Sequence, residues 1–349
     1  MATVGELAVL VGGQVVGDSQ TMITQAAPLS DAGQGSITLI DRAGADRMDA
    51  WDACAASAVV VPRGMTIPNH TCIQVDHVHR AFTQIAYFFR PLHRRTVREI
   101  SSNAMIHPTA KIGKNVAIDP FTQIGSDVEI GDDCTIFGGV HILSGVKIGA
   151  GTTIFPNVTI YEYVQVGRRC ILHAGVVLGA YGFGYAMQEG RHTLAGQAGS
   201  VVLGDDVDLG ANTTIDRGTY GPTTIGDGTK IDDQVMVGHN CHIGKHNLLC
   251  SQVGIAGSTE TGDYVVMGGQ VGVRDHVKIG DRTMIGAQSG VMNTLENDAK
   301  VLGCPAIPER EQLILFAAMH KLPETRKLFK KMEKTVVMLE NRIAELEKK

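Results

Sequence analysis

The chain has 349 residues, 44 % of them hydrophobic, enough for a core with flanking parts. Its net charge of −5 argues against nucleic acid as the main partner. No run reaches the roughly 18 apolar residues of a membrane span, and Met1 to Gly12 lacks the basic start and long apolar stretch of a signal peptide, so a cytoplasmic protein without stable membrane insertion is expected.

Residues 1–103 show no long period. Val4, Leu7, Ala8 and Leu10 predict a short helix, Ala58 to Val61 a buried strand, and Ala81 to Phe89 a second helix. Together they read as a small α/β domain. Arg90, Arg94, Arg95 and Arg98, with Pro91 among them, form a solvated connector to the central region of the chain.

From Ile106 to Val291 every sixth residue is aliphatic, except at Thr261, Met267 and two short interruptions. A period of six is neither the two of an ordinary strand nor the 3.6 of a helix, and a fixed short period marks a solenoid. Each hexad suits one flat side of a coil, and three sides close a coil of about eighteen residues. Stacked coils pair their strands in parallel and fill a continuous core with the inward aliphatic ladder. The fold class is therefore mainly β: a triangular parallel β-helix of roughly nine coils over residues 104–304. Glycine often comes after the aliphatic plug (Gly113, Gly125, Gly131, Gly149), where it is expected to supply turn dihedrals that a side chain would forbid. Cys134, Cys170 and Cys241 occupy the small fifth place of their hexads. With seven cysteines and no CxxC pair, they read as reduced packing residues.

The interruptions stand out because a regular prism has no concave site. Leu178 to Leu203 spans 25 residues where 24 would keep the period, and the segment carries GAYGFGY, Gly179 to Tyr185. Ile215 to Ile225 spans ten where six would do, with IDRGTYGPT from Ile215 to Thr223. Loops ejected from a repeat commonly form its binding surface.

Residues 305–349 form a helical tail. Pro305 and Pro308 end the coil, and a helix from Glu309 is expected to break at Pro323. Beyond it, Met332, Val336, Leu339, Ile343 and Leu346 have heptad spacing, which fits self-association or packing on the chain's own prism; either would cover an open end of the stacked strands. Lys321, Arg326, Lys327, Lys330, Lys331 and Lys334 fit an acidic partner or a solvated face.

His239 supplies the chemical candidate. It sits at the outward third place of the hexad begun by Val237, and one coil of eighteen later comes Gly257, whose backbone passes the imidazole with no side chain in the way. A base beside an accessible amide is what acyl transfer needs. His276 lies two coils plus one residue beyond His239, on the same side.

The first domain, GAYGFGY, IDRG, DDQVMVGHNCHIG (Asp232 to Gly244) and the proline-led helical tail together resemble the hexapeptide-repeat acyltransferases, and among them the UDP-3-O-acylglucosamine N-acyltransferases of lipid A assembly. The resemblance covers nearly the whole chain. It implies a left-handed prism and a homotrimer with sites between adjacent prisms. It also implies transfer of a 3-hydroxyacyl chain from the phosphopantetheine of acyl carrier protein to the 2-amino group of a UDP-sugar, without a resident cofactor. Carried over, His239 is the general base, Gly257 the oxyanion amide and His276 the second site histidine. Asp232 orients the base or contacts the donor, and Phe183 and Tyr185 lie near substrate. Metal is not expected: hexapeptide-repeat carbonic anhydrases place two histidines five apart, and no pair here has that spacing.

One departure concerns the first domain. The family holds uracil with a phenylalanine, asparagine and tyrosine at three-residue steps after an Ile-Thr pair; here Ile37 and Thr38 precede Leu39, Arg42 and Ala45. Competing readings are O-acylation of UDP-N-acetylglucosamine, coenzyme A-dependent sugar acetylation and a non-catalytic trimeric scaffold.

Overall fold

A computed structural model of the chain describes residues 1–41, 55–91, 99–303 and 306–347. Arg42, Ala45, Arg94, Arg95, Arg98 and Pro305 lie outside the described residues. The chain divides into two compact units, Met1–Thr96 and Val97–Lys349. Among the described residues no helix is long and apolar enough to cross a membrane.

In the first unit, a five-stranded sheet runs in the spatial order Gln14–Val16, Thr71–Val75, Ala58–Pro62, Ser36–Leu39, Gln25–Ala26. Its last four strands are parallel and Gln14–Val16 is antiparallel. Helix α1 (Val4–Val11) starts with a reciprocal cap between Thr3 and Glu6 and stops at left-handed Gly12. Helix α2 (Val78–Phe89) buries Val78, Ala81 and Ile85 against the strands. Leu39 is partly buried in that same core, so its side chain is committed to packing.

The second unit begins as a triangular prism. Its first face carries ten strands, from Met105–Ile106 to Gly290–Val291; the second carries nine, from Lys111–Ile112; the third carries ten, from Ala117–Ile118. That is just under ten coils. Regular neighbours pair eighteen residues apart, as Ile124 with Ile142 and Ile136 with Ile154, and the plugs and small fifth-place residues merge into one core. Cys134, Cys170 and Cys241 are fully buried, each Sγ donating to a carbonyl of the next coil. Burial pushes the Cys170 and Cys241 thiols up to about 11, which keeps them protonated and inert.

The break in the aliphatic series at Thr261 is a matched polar inlay. Buried Asn247 donates to the Thr261 hydroxyl (2.8 Å) and the Gly262 carbonyl (3.1 Å) and accepts from the Val265 N–H. The polar groups satisfy one another, so their burial is tolerated.

Three expectations need correction. Apart from Gly179 at the first interruption, the glycines after the plugs are not the left-handed residues. Positive φ falls two places later, at Asn115, Asp127, Asp133, Asn240, Ser258 and His276 among others. Stacking, not dihedral freedom, requires the glycine: a Cβ on Gly226 would lie 2.6 Å from the carbonyl carbon of Gly244 in the next coil. The first interruption is also larger than its sequence count. Gln165 pairs with Val202, 37 residues on instead of 18, so 19 residues leave the prism within a single side. They include an antiparallel hairpin, Tyr185–Gln188 with Arg191–Leu194, turned by Glu189 and Gly190, both at positive φ. At the second interruption Val202 pairs with Thr224, 22 residues on, so four leave.

The third correction is the tail. Helix α3 (Glu309–Glu347) runs through Pro323 without a break. Proline removes one hydrogen bond and crowds one carbonyl, which the turns on either side absorb as a local defect. Nor does the helix lie on its own prism: the large apolar side chains from Leu313 to Leu346 are at least half exposed.

Stacking predicts a contrast between two glycines. Gly226→Ala meets backbone and loses about 1–3 kcal/mol of stability. Gly254→Ala, whose added carbon meets nothing within 4 Å, changes stability by less than about 0.5 kcal/mol. Thermal or urea unfolding of the two variants checks this.

Candidate active site

His239 lies at the corner between the first and second faces. The strand Met236–Val237 pairs with Gly254–Ile255, so Gly257 stands one coil above the imidazole. A Cβ on Gly257 would fall 2.6 Å from Cε1 and 2.7 Å from Nε2 of His239. Ser258 N–H donates to the His239 carbonyl (2.8 Å) and His276 N–H to the Gly257 carbonyl (3.2 Å), which stacks the three coils. The ring's other side meets the first ejected loop, where a Cβ on Gly182 would lie 2.9 Å from Cγ and Cδ2. Two glycines thus sandwich a half-buried imidazole, and any side chain at either would displace it.

The tautomer is set by the hydrogen bonds. Asn240 Oδ1 accepts from the Thr219 N–H (3.0 Å) and from the Thr219 hydroxyl (2.9 Å), and it lies 2.9 Å from His239 Nδ1. An amide atom that accepts a backbone N–H is the oxygen, so Nδ1 carries the proton and donates. Nε2 is left with its lone pair, on the side of Gly257.

Gly257 N–H makes no backbone hydrogen bond among the described residues. At the corner between the second and third faces, the equivalent N–H groups are taken by carboxylates of the next coil: Lys114 by Asp132, Arg168 by Asp205, Lys245 by Asp263 and Asp263 by Asp281. The corner with His239 lacks that ladder. Asp275, which comes after Gly257 in the stack, turns to His276 Nδ1 (3.1 Å) and Arg274.

The two ejected loops knit together beside this corner. Ala198 N–H donates to the Thr219 carbonyl (2.7 Å) and Gly199 N–H to the Gly218 carbonyl (3.1 Å). Arg217, 5 % exposed, anchors the root of the first loop. Its Nε donates to the Gly179 carbonyl (2.7 Å) and Nη2 to Glu162 (3.0 Å), while its guanidinium carbon stands 5.2 Å from the Tyr181 ring centre and 5.8 Å from that of Tyr161. Asp216, equally buried, has its carboxyl pushed up to about 6 by that burial, an effect the His239 imidazole partly opposes.

The other sequence candidates are arranged differently. His276 shares the His239 corner but is exposed and paired with Asp275. Phe183 and Tyr185 pack edge to face at 5.2 Å on the exposed loop. Asp232 sits at the corner between the third and first faces, where it accepts the Ser251 N–H (3.0 Å). Within this chain Asn240, not Asp232, orients His239. Asn240, Asp216, Arg217 and Thr219 all fall inside the quoted motifs. The four-residue insertion defeats any count by eighteens that would bring Thr219 to Asn240. Among the described residues no three His, Cys, Asp or Glu side chains cluster as a metal site.

A concavity of about 820 Å³ lies in the first unit at the carboxyl ends of its parallel strands, between Asp41, Arg63, Asp76 and the start of α2. Arg63 forks onto Asp76 there, and His79 lies 2.9 Å from Asp41. The His239 corner differs from it in setting an imidazole beside an N–H that no backbone carbonyl takes among the described residues.

Residues 222–257 match the family profile described as bacterial transferase hexapeptide (six repeats), 276–301 that of the hexapeptide repeat of succinyl-transferase, and 100–181 the GMPPB C-terminal domain. A left-handed parallel β-helix of hexapeptide repeats with this corner defines an acyltransferase of the hexapeptide class. The UDP-3-O-acylglucosamine N-acyltransferase of Rhodopirellula baltica is 48 % identical over 94 % of this chain and 85 % of its own length. That of Syntrophotalea carbinolica is 43 % identical over 100 % and 98 %, and that of Anaeromyxobacter dehalogenans 39 % over 97 % and 96 %. The chain belongs to the UDP-3-O-acylglucosamine N-acyltransferase family. Among solved structures it is similar to an Arabidopsis UDP-N-acetylglucosamine acyltransferase, at 23 % identity and a TM-score of 0.49 over 59 % of this chain and 71 % of that one.

Asp216 sets a stability prediction. An acid whose folded-state value is raised holds its proton in the native state between about pH 4 and 6, so the protein loses stability as pH rises through that window. Asp216→Asn removes the penalty: it stabilises the fold at pH 8 by up to about 3 kcal/mol and has little effect at pH 4. Calorimetric unfolding at the two pH values measures the difference.

Proposed function

We propose that this chain transfers a 3-hydroxyacyl group from the thioester of an acyl carrier protein to the 2-amino group of UDP-3-O-acylglucosamine, in lipid A assembly. The observation that carries this reading is the His239 imidazole, its Nδ1–H held by Asn240 and its bare Nε2 turned to Gly257. The amine attacks the thioester carbonyl and Nε2 takes a proton from the nitrogen. The Gly257 N–H donates to the oxyanion, and the proton passes to the departing thiol. No resident cofactor is needed, because the acyl group arrives on the carrier's phosphopantetheine. The 48 % identity to a relative of that name supports the acceptor.

The functional form is a homotrimer in the cytoplasm, with His276, Asp232, Phe183 and Tyr185 contributing to substrate binding between prisms. The exposed stripe of Met332, Val336, Leu339, Ile343 and Leu346 on α3 supports subunit contact. At about 100° per residue, Arg326, Lys327, Lys330, Lys331 and Lys334 lie on the opposite side of that helix. That basic face suits an acidic carrier protein.

Incubation with 3-hydroxyacyl carrier protein and candidate acceptors, with measurement of product mass, tests the reaction; an amide on the UDP-sugar is expected, and an ester would reassign it. His239→Ala lowers turnover by about 10²- to 10⁴-fold with the fold intact. Reversal of Lys327, Lys330 and Lys331 to glutamate raises KM for the carrier about tenfold at low salt and flattens its salt dependence. Steady-state kinetics at two ionic strengths checks the donor face.

A further inference from the structure

We propose that Asp216 is the electrostatic partner of His239: its carboxylate, one coil before the imidazole, stabilises the imidazolium that forms when His239 takes a proton. The inference deepens the reading of His239 as the base and rests on it.

Asp216 comes directly after the inward plug Ile215, which pairs with Val237. That register sets Asp216 opposite Gly238, the residue before His239. On its other side Asp216 pairs with Ala180, at the root of the first ejected loop, through a bulge. Asp216 is 5 % exposed as a residue, and among the described residues its carboxyl oxygens accept no hydrogen bond. Burial of an acid without a donor costs stability, and it leaves the charge free to act on a neighbouring cation.

The surrounding groups single out the imidazole. Arg217, its neighbour in the chain, turns its guanidinium to Gly179, Glu162 and the rings of Tyr161 and Tyr181. Cys241, from the coil above, stays a protonated thiol that donates to the Ala256 carbonyl. His239, once it has taken a proton, is the cation that bears on it. Nδ1 of His239 is already taken by Asn240, so Asp216 works through space rather than as the hydrogen-bonded acid of a triad. In a covered site with little water, such an interaction is stronger than at an exposed surface.

The proton balance gives the carboxylate its moment. The amine nitrogen bonds to the thioester carbon, and Nε2 accepts a proton from that nitrogen. When the tetrahedral intermediate collapses, the C–S bond breaks and the proton moves from His239 to the leaving sulfur. Asp216 stays ionised throughout; the imidazolium–carboxylate pair exists only between the two transfers. Asp216 is therefore a positioning residue, acting on the base and not on substrate.

The test is kcat/KM against pH for the full-length wild type, Asp216→Asn and His239→Ala. With Asp216→Asn, kcat at pH 8 falls about 10- to 100-fold while KM for donor and acceptor stays within about twofold, and the protein remains folded. In the wild type kcat/KM falls as Asp216 takes up its proton near pH 6; in Asp216→Asn that phase is absent. A merely structural carboxylate would not remove it. Wild-type turnover in Asp216→Asn, or a phase near pH 6 that persists in Asp216→Asn, overturns the role of Asp216 even if His239→Ala is inactive. Retained turnover in His239→Ala instead overturns the base on which the role rests.

Discussion

Parallel stacking at one coil per strand spacing, about 4.8 Å, governs what each position of the hexad can hold. A plug one place out of step would turn the aliphatic ladder to solvent, so the six-residue period is enforced over the whole prism. The same spacing brings successive backbones so close after the plug Ile225 that Gly226 has no room for a Cβ. The chain turns two residues later, where Asn, Asp and even Tyr163 and Arg169 accept left-handed dihedrals. Their cost, of order 1 kcal/mol each, is offset by hydrogen bonds such as Asp133 N–H to the Lys114 carbonyl, repeated coil after coil.

A structure so regular is convex on every side, and its chemistry depends on where regularity is suspended. Nineteen residues leave after the first face and four leave one coil later. They bond to each other through Ala198, Gly199, Gly218 and Thr219. Neither loop alone makes the site: the first covers His239 with Gly182, and the second supplies Thr219 to fix Asn240 and thereby the imidazole tautomer. Arg217 joins the two, since it belongs to the second insertion and grips the root of the first.

The repeat was legible because inward packing leaves a period that no other fold shares. That is why the class, the place of His239 and its relation to Gly257 could be read from Ile106, Ile112 and their successors. What could not be read falls into two physical kinds. Side chains that act across an insertion, such as Thr219 on Asn240, lie outside any fixed count. Groups whose behaviour depends on burial, such as Asp216, look like ordinary surface residues until a loop is seen to cover them. The glycines differ for another reason: a residue that permits two things, unusual dihedrals and close approach, serves here for the second and not the first. The continuous α3 shows the limit of local rules in the opposite direction, because proline at 323 weakens one turn of a helix with 39 residues to sustain it.

The polar pattern of the prism sets the His239 corner apart. Along the corner between the second and third faces, outward N–H groups are met by aspartates of the next coil, and inside the core Asn247 and Thr261 satisfy each other. Beside His239 those rules lapse together: among the described residues Gly257 keeps an unpaired N–H, and Asp216 is buried without a donor. On the proposed mechanism the first is the donor for the oxyanion and the second the carboxylate for the cation formed with it; both are costly in a resting fold. They fit a reaction that separates charge and then restores it. The glycine at 257 serves both ends of the arrangement, since any side chain there would displace the imidazole.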